Sequence, residues 1–174
     1  MRYELREELP TVQQFQALRD AAGMSERSRE GVERGLPNSV YGVTVVEVSS
    51  GDVVGMARIV GDGGSVYHIC DMAVHPDHQR RGLGSRMMDA IMAYVAEHAP
   101  ENAYVNLMAD VDGFYEQWGF EETRPASKGM FYRATQAARQ TRGRQGSVST
   151  ASWLMTYSTP NSASAPPATT STPV

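Results

Sequence analysis

Cysteine is almost absent from this chain of 174 residues, in which Cys70 is the one thiol. A single cysteine cannot form a disulfide within the chain, which fits a reducing compartment, and it excludes a metal site built from cysteines alone. Long apolar runs are also missing. No stretch reaches the roughly 20 residues needed to cross a bilayer, and the charged N-terminus, MRYELREELP, is unlike a signal peptide. We therefore expect a soluble cytoplasmic protein, with a nuclear location as the open alternative.

Basic residues are scarce in the part of the chain that can form a core. The whole chain carries a net charge of -4, but residues 134–174 hold three arginines and no acidic residue. Residues 1–133 therefore carry 13 basic and 20 acidic residues, a net charge of -7. This acidity argues against nucleic-acid binding and suits a cationic partner. We expect neither a nucleic-acid nor a membrane partner, and a homodimer stays open.

The composition changes sharply near residue 134. With 41% hydrophobic residues, the chain is long enough for one domain with its own core and too short for two. Residues 134–174 are rich in Ser, Thr, Ala and Pro and have little to bury. The sequence predicts one folded domain over residues 1–133 and a largely disordered C-terminal tail over residues 134–174.

The predicted elements alternate between helix and strand. Thr11 and Gln14 form a capping box at the start of a first helix that Gly23 ends. The polar stretch Ser25–Gly35 is predicted to be either a mobile flap or a plain solvated helix. Long helical periodicity begins at Leu83 and stops at Pro100. The other predictions are an edge strand at Tyr3–Leu5, strands at Val40–Val48, Val53–Val60, Val66–Val74 and Tyr104–Ala109, a short helix at Val111–Trp118, and final strands at Phe120–Thr123 and Met130–Arg133. This order is mixed α/β, with one crossover through the long helix.

The stretch VHPDHQRRGLGS, from Val74 to Ser85, joins the end of an apolar strand to the start of the long helix. Gly82 and Gly84 allow a tight turn and leave no side chain in front of the backbone amides. The first amides of a helix lack partners and lie at the positive end of its dipole, so they favour an anion such as a pyrophosphate. The lysine of a Walker motif and the third glycine of a Rossmann loop are both missing, which weakens a nucleotide-phosphate site.

The same stretch carries a family resemblance. The spacing Gln79-x-x-Gly82-x-Gly84, preceded by Ala73-Val74-x-Pro76, resembles the acyl-CoA-binding motif of the GNAT superfamily of N-acyltransferases. In that family the loop amides hold the coenzyme A pyrophosphate, and the end of the strand holds the pantetheine arm. The resemblance implies acetyl-CoA as co-substrate, no metal, and these binding residues: Met72, Ala73, Val74, Gln79, Arg80, Arg81, Gly82, Leu83, Gly84, Ser85 and Tyr115. It also implies a GNAT-like fold, in which a central, mostly antiparallel sheet splays at the cofactor site and is flanked by helices.

A second motif, Gly113-Phe114-Tyr115-Glu116-Gln117-Trp118-Gly119-Phe120, resembles the GNAT segment that carries a Phe-Tyr pair before Gly-Phe. In that family the tyrosine hydroxyl lies near the coenzyme sulfur. The resemblance therefore assigns Tyr115 as the acid that protonates the leaving thiolate. Without it, Tyr115 would be read as an aromatic residue packing beside Phe114 and Trp118.

The base that deprotonates the amine is less clearly marked. His68 occupies the first of two histidine positions found in aralkylamine acetyltransferases of this family, and Cys70 occupies the second. A histidine titrates near neutral pH and can take a proton directly or through water. His68 is the candidate base; Asp71, bulk water and a purely structural histidine are the alternatives.

Strand alternation places His68, Cys70 and Met72 on one face and Asp71 on the other, unless a bulge intervenes. A covalent acyl-enzyme on Cys70 then lacks the geometry of nucleophile, base and orienting group, so a buried cysteine is the better interpretation. His75 and His78 alone make a poor zinc site.

Together the two motifs predict an acetyl-CoA-dependent N-acetyltransferase that acts by direct attack in a ternary complex, most simply on a small primary amine. The open alternatives are a protein, peptide or N-terminal acetyltransferase and a non-catalytic CoA-binding sensor or scaffold. Neither the amine nor the preferred acyl chain can be read from the sequence.

Overall fold

The computed structural model describes residues 1–130, which form a five-stranded sheet with α-helices packed on both of its faces. The strands are β1 (Tyr3–Arg6), β2 (Tyr41–Glu47), β3 (Val53–Gly61), β4 (Val66–Val74) and β5 (Tyr104–Leu107). The helices are α1 (Val12–Ala21), α2 (Arg29–Gly35) and α3 (Leu83–His98), with 3₁₀ turns at Leu36–Asn38, Pro76–His78 and Glu116–Trp118. All of these elements lie in one compact unit, Met1–Glu122.

The strands follow one another across the sheet in chain order, from β1 to β5. The first four are antiparallel neighbours, whereas β4 and β5 are parallel. A parallel pair needs a crossover connection, and α3 supplies it. The predicted mixed α/β fold, with a mostly antiparallel sheet and one crossover through the long helix, is confirmed.

The two faces of the sheet bury different side chains. The α3 face is an apolar cluster, whose buried members are Val43, Val45, Val54, Ala57, Ile59, Tyr67, Ile69, Leu83, Met87, Met88, Ile91 and Val95. The α1 face has a smaller apolar cluster of Phe15, Leu18, Val32, Leu36, Met56 and Ala73, and it also buries the charged Arg19. The periodic apolar positions of α1 and α3 decide which side of each helix meets the sheet.

The capping box predicted for α1 is present. The Oγ1 of Thr11 accepts from the amide of Gln14 at 3.3 Å, and the amide of Thr11 donates to Oε1 of Gln14 at 2.8 Å. The predicted edge strand is also confirmed as β1. The helix in the polar stretch starts later than its sequence suggests, because Ser28 rather than Ser25 caps it.

Strict alternation along β4 is wrong from Cys70 onward. Gly55 and Met56 of β3 pair with Val74 and Ala73, but Arg58 pairs with Cys70, so β4 has an extra residue at this point. Asp71 takes the left-handed conformation, with φ 52°, at this bulge. A bulge exchanges the faces of the residues that follow it. Met72 therefore packs with the α3 cluster, on the side where Tyr67 and Ile69 lie, and not on the side of His68.

The region after β5 also departs from prediction. The helix expected over Val111–Trp118 shrinks to the 3₁₀ turn at its end, because Gly113 has φ 72° and interrupts a right-handed helix. The strand expected at Phe120–Thr123 is absent, and the ring of Phe120 packs instead against Tyr115, with centroids 6.4 Å apart. The last predicted strand, beyond Met130, and the predicted tail over residues 134–174 lie outside the described residues.

Within residues 1–130, no helix combines the length and the apolar character that a membrane span requires.

Candidate active site

The N-terminus of α3 is left without a protein cap. Gly82, at the N-cap position, is left-handed with φ 73° and makes no capping bond. The first bond of the helix runs from the amide of Arg86 to the carbonyl of Gly82, at 3.1 Å. The amides of Leu83, Gly84 and Ser85 therefore point out of the helix with no acceptor among the described residues. Such a set of donors at the positive end of a 16-residue helix favours a phosphate group.

The end of β4 that leads to this helix has one open edge. Pairing with β5 ends at Ile69 opposite Leu107, so residues 70–74 continue past the partner strand. The amide of His75 donates to the carbonyl of Val54 in β3, at 2.8 Å. Because amides alternate in direction along a strand, the amide of Val74 points to the opposite edge, where β5 has ended. The expected splay of the sheet beside Val74 is confirmed, and it exposes backbone groups to a ligand.

Tyr115 lies beside this open edge. Its hydroxyl is 3.9 Å from the sulfur of Met72, and its ring packs with the α3 cluster. Burial raises the pKa of the Tyr115 hydroxyl, and the charge of Asp110 raises it further. The hydroxyl therefore holds its proton at neutral pH and can donate it to a stronger base.

A direct contact joins the two sequence motifs. A Cβ built on Gly84 would lie 3.4 Å from Cζ of Phe114, so the phenyl ring packs against the glycine at the start of α3. The ring of Phe114 also makes edge contacts with Tyr115 and Trp118, at centroid distances of 4.9 and 5.2 Å. Trp118 in turn donates from Nε1 to Asp89 of α3 at 3.0 Å. The amides at the start of α3, the open edge of β4 and the hydroxyl of Tyr115 thus lie together at one end of the sheet.

The side chains of the loop contribute less than its backbone. Nε2 of Gln79 donates to the carbonyl of Val74 at 3.0 Å, and Nη2 of Arg81 donates to the carbonyl of Asp77 at 3.0 Å. Both side chains therefore brace the loop itself. Arg80 is exposed, has φ 57° and forms no hydrogen bond or ion pair with the other described residues, which leaves its guanidinium group available to an anion. Leu83 is 2% exposed, so only its backbone can face a ligand.

The candidate base His68 has a partner that the sequence did not reveal. Its Nδ1 lies 2.7 Å from Oδ1 of Asn106 on the parallel strand β5. An amide oxygen only accepts, so Nδ1 donates in this bond, and Nε2 is the acceptor nitrogen whenever the ring is neutral. Asn106 was missed because the sequence shows a fifth strand but does not show its register against β4.

Asp71, the alternative base, is occupied. Its Oδ1 forms an ion pair with Nη1 of Arg19, and its Oδ2 accepts from Nε of Arg58 at 2.6 Å. Only 8% of its side chain is exposed. A carboxylate that two guanidinium groups already hold is a poor acceptor for a substrate proton.

Cys70 lies beside Asp71, so the expectation that this carboxylate faces away from the thiol is wrong. The bulge brings the two together. Burial, helped by the charge of Asp71, raises the pKa of the Cys70 thiol to about 12. The thiol therefore stays protonated and is a poor nucleophile. The side chain is half-buried and not fully buried as the sequence predicted.

His75 and His78 make contacts within the protein. His78 Nδ1 lies 3.0 Å from the hydroxyl of Tyr3, and the two histidine rings meet edge to face at 5.6 Å. Nδ1 of His75 accepts from the amide of Asp77 at 3.3 Å. Both residues serve the turn between β4 and the glycine loop.

An open parallel pair of strands beside an uncapped helix N-terminus is the arrangement that the predicted acyl-CoA site requires. The sequence model of the family described as "Acetyltransferase (GNAT) domain" matches residues 39–122. The uncharacterized N-acetyltransferase ycf52 of Porphyra purpurea is 31% identical over 123 residues, which cover 68% of this chain and 70% of that protein. Serotonin N-acetyltransferase 2, chloroplastic, of Oryza sativa subsp. japonica is 32% identical over 122 residues, which cover 68% of this chain and 61% of that protein.

Solved structures agree with the sequence comparisons. A probable acetyltransferase from meticillin-resistant Staphylococcus aureus shares 38% identity and a TM-score of 0.72, over 76% of this chain and 100% of that one. The chain belongs to the GNAT family and is an N-acetyltransferase by family. The family and fold predicted from the sequence are therefore confirmed. The roles of individual residues and the cytoplasmic location stay predictions, and the rice relative is named as chloroplastic.

Proposed function

We propose that this protein transfers the acetyl group of acetyl-CoA to the primary amine of a small molecule, by direct attack within a ternary complex. The observation that carries the proposal is the meeting of three features at the end of β4: the uncapped amides of residues 83–85, the open edge of residues 70–74 and the hydroxyl of Tyr115. A long anionic thioester needs all three, since each serves a different part of it.

Each part of the co-substrate has a matching group. The pyrophosphate would accept hydrogen bonds from the amides of Leu83, Gly84 and Ser85, and Arg80 would add charge beside it. The pantetheine arm would pair with the open edge at Met72 and Val74. The thioester oxygen would then lie within reach of the Val74 amide, a donor that is already oriented and so stabilises negative charge without rearrangement.

The proposed proton route uses two side chains on opposite sides of the strand. Nε2 of His68 accepts the proton of the incoming ammonium group, directly or through a water molecule. The free amine then attacks the thioester carbon, the carbon–sulfur bond breaks, and the sulfur leaves with the bonding pair. Tyr115 donates its hydroxyl proton to this sulfur, and the proton that the acylated nitrogen then loses returns to the Tyr115 oxygen. The products are an N-acetylated amine and coenzyme A with its thiol protonated, while the first proton of the ammonium group stays on His68 until it passes to solvent.

A small amine is the first candidate because a relative at 32% identity is named for serotonin, whereas a relative named as a histone acetyltransferase is 28% identical. An aminoethyl group on an aromatic ring is therefore the first acceptor to try. A protein lysine or N-terminus is the second candidate class.

The test is thiol release from acetyl-CoA over a panel of acceptors. The panel should contain arylalkylamines, aliphatic diamines, amino sugars and a lysine peptide. We expect release with one or more arylalkylamines, above the rate of acetyl-CoA alone. Release with the peptide only would transfer the proposal to protein acetylation. Coenzyme A binding by calorimetry without release on any amine would favour a sensor or scaffold.

A further inference from the structure

Three charged side chains are buried together between α1 and the sheet. Asp71, at the β4 bulge, is flanked by Arg19 from α1 and Arg58 from β3, and the exposed fractions of these side chains are 8, 5 and 18%. Both guanidinium groups also lie against the ring of Phe15, at 5.6 and 5.5 Å from its centroid. Burying three charges is expensive, so this group stands out from the apolar packing around it.

The carboxylate helps to hold an unusual backbone. A non-glycine residue with φ 52° is disfavoured, although Asp tolerates the left-handed region better than most residues. Because Arg58 lies in β3 and Arg19 in α1, the two ion pairs tie the bulge to a neighbouring strand and to a helix at once. The bulge sets the direction of the next residues, Met72 and Val74, whose backbone forms the open edge.

The same two arginines reach the ends of another segment. Nη2 of Arg19 donates to the carbonyl of Ser25 at 2.5 Å. Nη1 of Arg58 donates to Oγ of Ser39 at 3.0 Å. Ser25 and Ser39 bracket residues 26–38, a segment that contains α2 and is called the flap from here on. Its strongly buried side chains are Val32 and Leu36, each 5% exposed. One carboxylate thus lies at the junction of the flap and the cofactor-binding strand.

We propose that Asp71, ion-paired with Arg19 and Arg58, is a positioning residue that couples the flap to the acetyl-CoA-binding edge of β4. This inference rests on the proposed function, in which the open edge binds the co-substrate, and it adds that the flap covers the acceptor amine. The two ion pairs of Asp71 then take part both when the flap closes over an amine and when the open edge of β4 binds the thioester. Asp71 itself touches neither substrate nor the reacting atoms.

The test measures hydrogen exchange in peptides covering residues 26–38 and 71–75, with and without coenzyme A. Two variants break the junction. Asp71→Asn keeps a side chain that tolerates positive φ but removes the charge, while Arg58→Met leaves a neutral Arg19–Asp71 pair and so retains the fold more securely. We expect either variant to raise exchange about tenfold in both peptides, the size of an ordinary coupling between sites.

Two controls separate coupling from a general loss of stability. Val43→Ala removes a buried methyl pair from the α3 face, away from the charges, and should raise exchange evenly over the domain. Ser39→Ala removes the link from Arg58 to the end of the flap, together with the bond from the Ser39 hydroxyl to the carbonyl of Leu36 at 2.7 Å. Both bonds lie at the flap end, so this variant should affect residues 26–38 without residues 71–75.

Coenzyme A supplies the decisive comparison. In the parent protein, coenzyme A should slow hydrogen exchange in residues 26–38 as well as at its own site, residues 83–85. In Arg58→Met it should protect residues 83–85 alone. Protection of both segments in Arg58→Met, or variants that behave like Val43→Ala, would overturn the coupling. A parent protein in which coenzyme A protects nothing would instead overturn the proposed function.

Discussion

The two long helices of this protein begin in opposite ways. At α1, a complete capping box satisfies the amides of Thr11 and Gln14. At α3, Gly82 supplies no cap, and the amides of residues 83–85 have no acceptor among residues 1–130. An unsatisfied helix end costs stability, which the apolar α3 cluster compensates. The difference indicates that α1 is built to hold the fold, whereas the start of α3 is reserved for a ligand.

The helices also differ in what they bury. The buried face of α3 is wholly apolar, with Leu83, Met87, Met88 and Ile91 at 2% exposure or less. The buried face of α1 includes Arg19, whose pKa is lowered by burial although the charge of Asp71 opposes the shift. The cofactor side thus depends on packing and free backbone, and the opposite side depends on paired charges. Six measurements test this difference between the two sides.

The largest effect is expected at Tyr115. Tyr115→Phe keeps the ring against the α3 cluster and removes the proton that the leaving sulfur needs, so turnover should fall about a thousandfold, within the usual range for acid–base catalysis. Affinity for coenzyme A, measured by calorimetry, should change little. Tyr104→Phe, at an exposed tyrosine on β5, is the matched control. An unchanged rate in Tyr115→Phe would remove this residue from the mechanism.

The reactivity of Cys70 reports on the side of the sheet where the paired charges lie. A pKa of about 12, against 9.0 for an ordinary thiol, leaves about a thousandfold less thiolate. At pH 8, iodoacetamide should therefore label Cys70 far more slowly in the folded protein than in urea, as followed by mass spectrometry. Rapid labelling of the folded chain would contradict the environment described for this thiol.

The same shift has a consequence for stability. The folded chain holds the Cys70 thiol proton more tightly than the unfolded chain does. The resulting contribution to the free energy of unfolding is present in full below about pH 9 and is lost as the pH rises toward 12. Urea unfolding of Cys70→Ala should show a weaker decline over this alkaline window than the parent does.

His68 is expected to have an intermediate effect. His68→Gln can still bond to Asn106 but cannot take a proton from the amine, so kcat/KM at neutral pH should fall about a hundredfold. The loss should shrink as the pH is raised, because more of the amine is then already deprotonated. A pH–rate profile that matches the parent would assign the base to water.

Two glycines of the same conformation give a matched pair with a smaller effect. Gly82 and Gly63 have φ 73° and 72°, and neither has an atom within 4 Å of an added Cβ. Alanine at either position should cost about 1 kcal/mol of stability through backbone strain. Only Gly82→Ala should also weaken coenzyme A binding, because its side chain would lie beside the amides at the start of α3. We expect a loss of about tenfold in affinity, or about 1.4 kcal/mol. Equal affinities in the two variants would show that the loop before α3 does not bind the co-substrate.

The smallest effect is expected at the capped helix. Thr11→Ala removes one partner of the capping box and should cost about 1 kcal/mol in the free energy of unfolding. Coenzyme A affinity should stay at the parent value, since the cap belongs to the helix that holds the fold. A loss of affinity without a loss of stability would reverse the roles given to α1 and α3.

Prediction from sequence succeeded where the signal is local. The capping box, the glycines before α3 and the apolar faces of the helices each depend on residues a few positions apart. It failed after β5, where left-handed Gly113 and the packing of Phe120 on Tyr115 outweighed the apolar pattern. It also failed at Cys70–Met72, since nothing in the residues themselves announces an extra residue in the strand.

The sequence by itself determined the family, the order of helices and strands, and the backbone chemistry of the loop from Val74 to Ser85, because spacing and residue type along one segment are enough for these. Only the tertiary structure decided that Asn106 meets His68, that Phe114 lies against Gly84, and that Asp71 is held between Arg19 and Arg58. Those contacts join residues far apart in the chain. Strand register, helix docking and a bulge set them, and each arises from packing over the whole sheet.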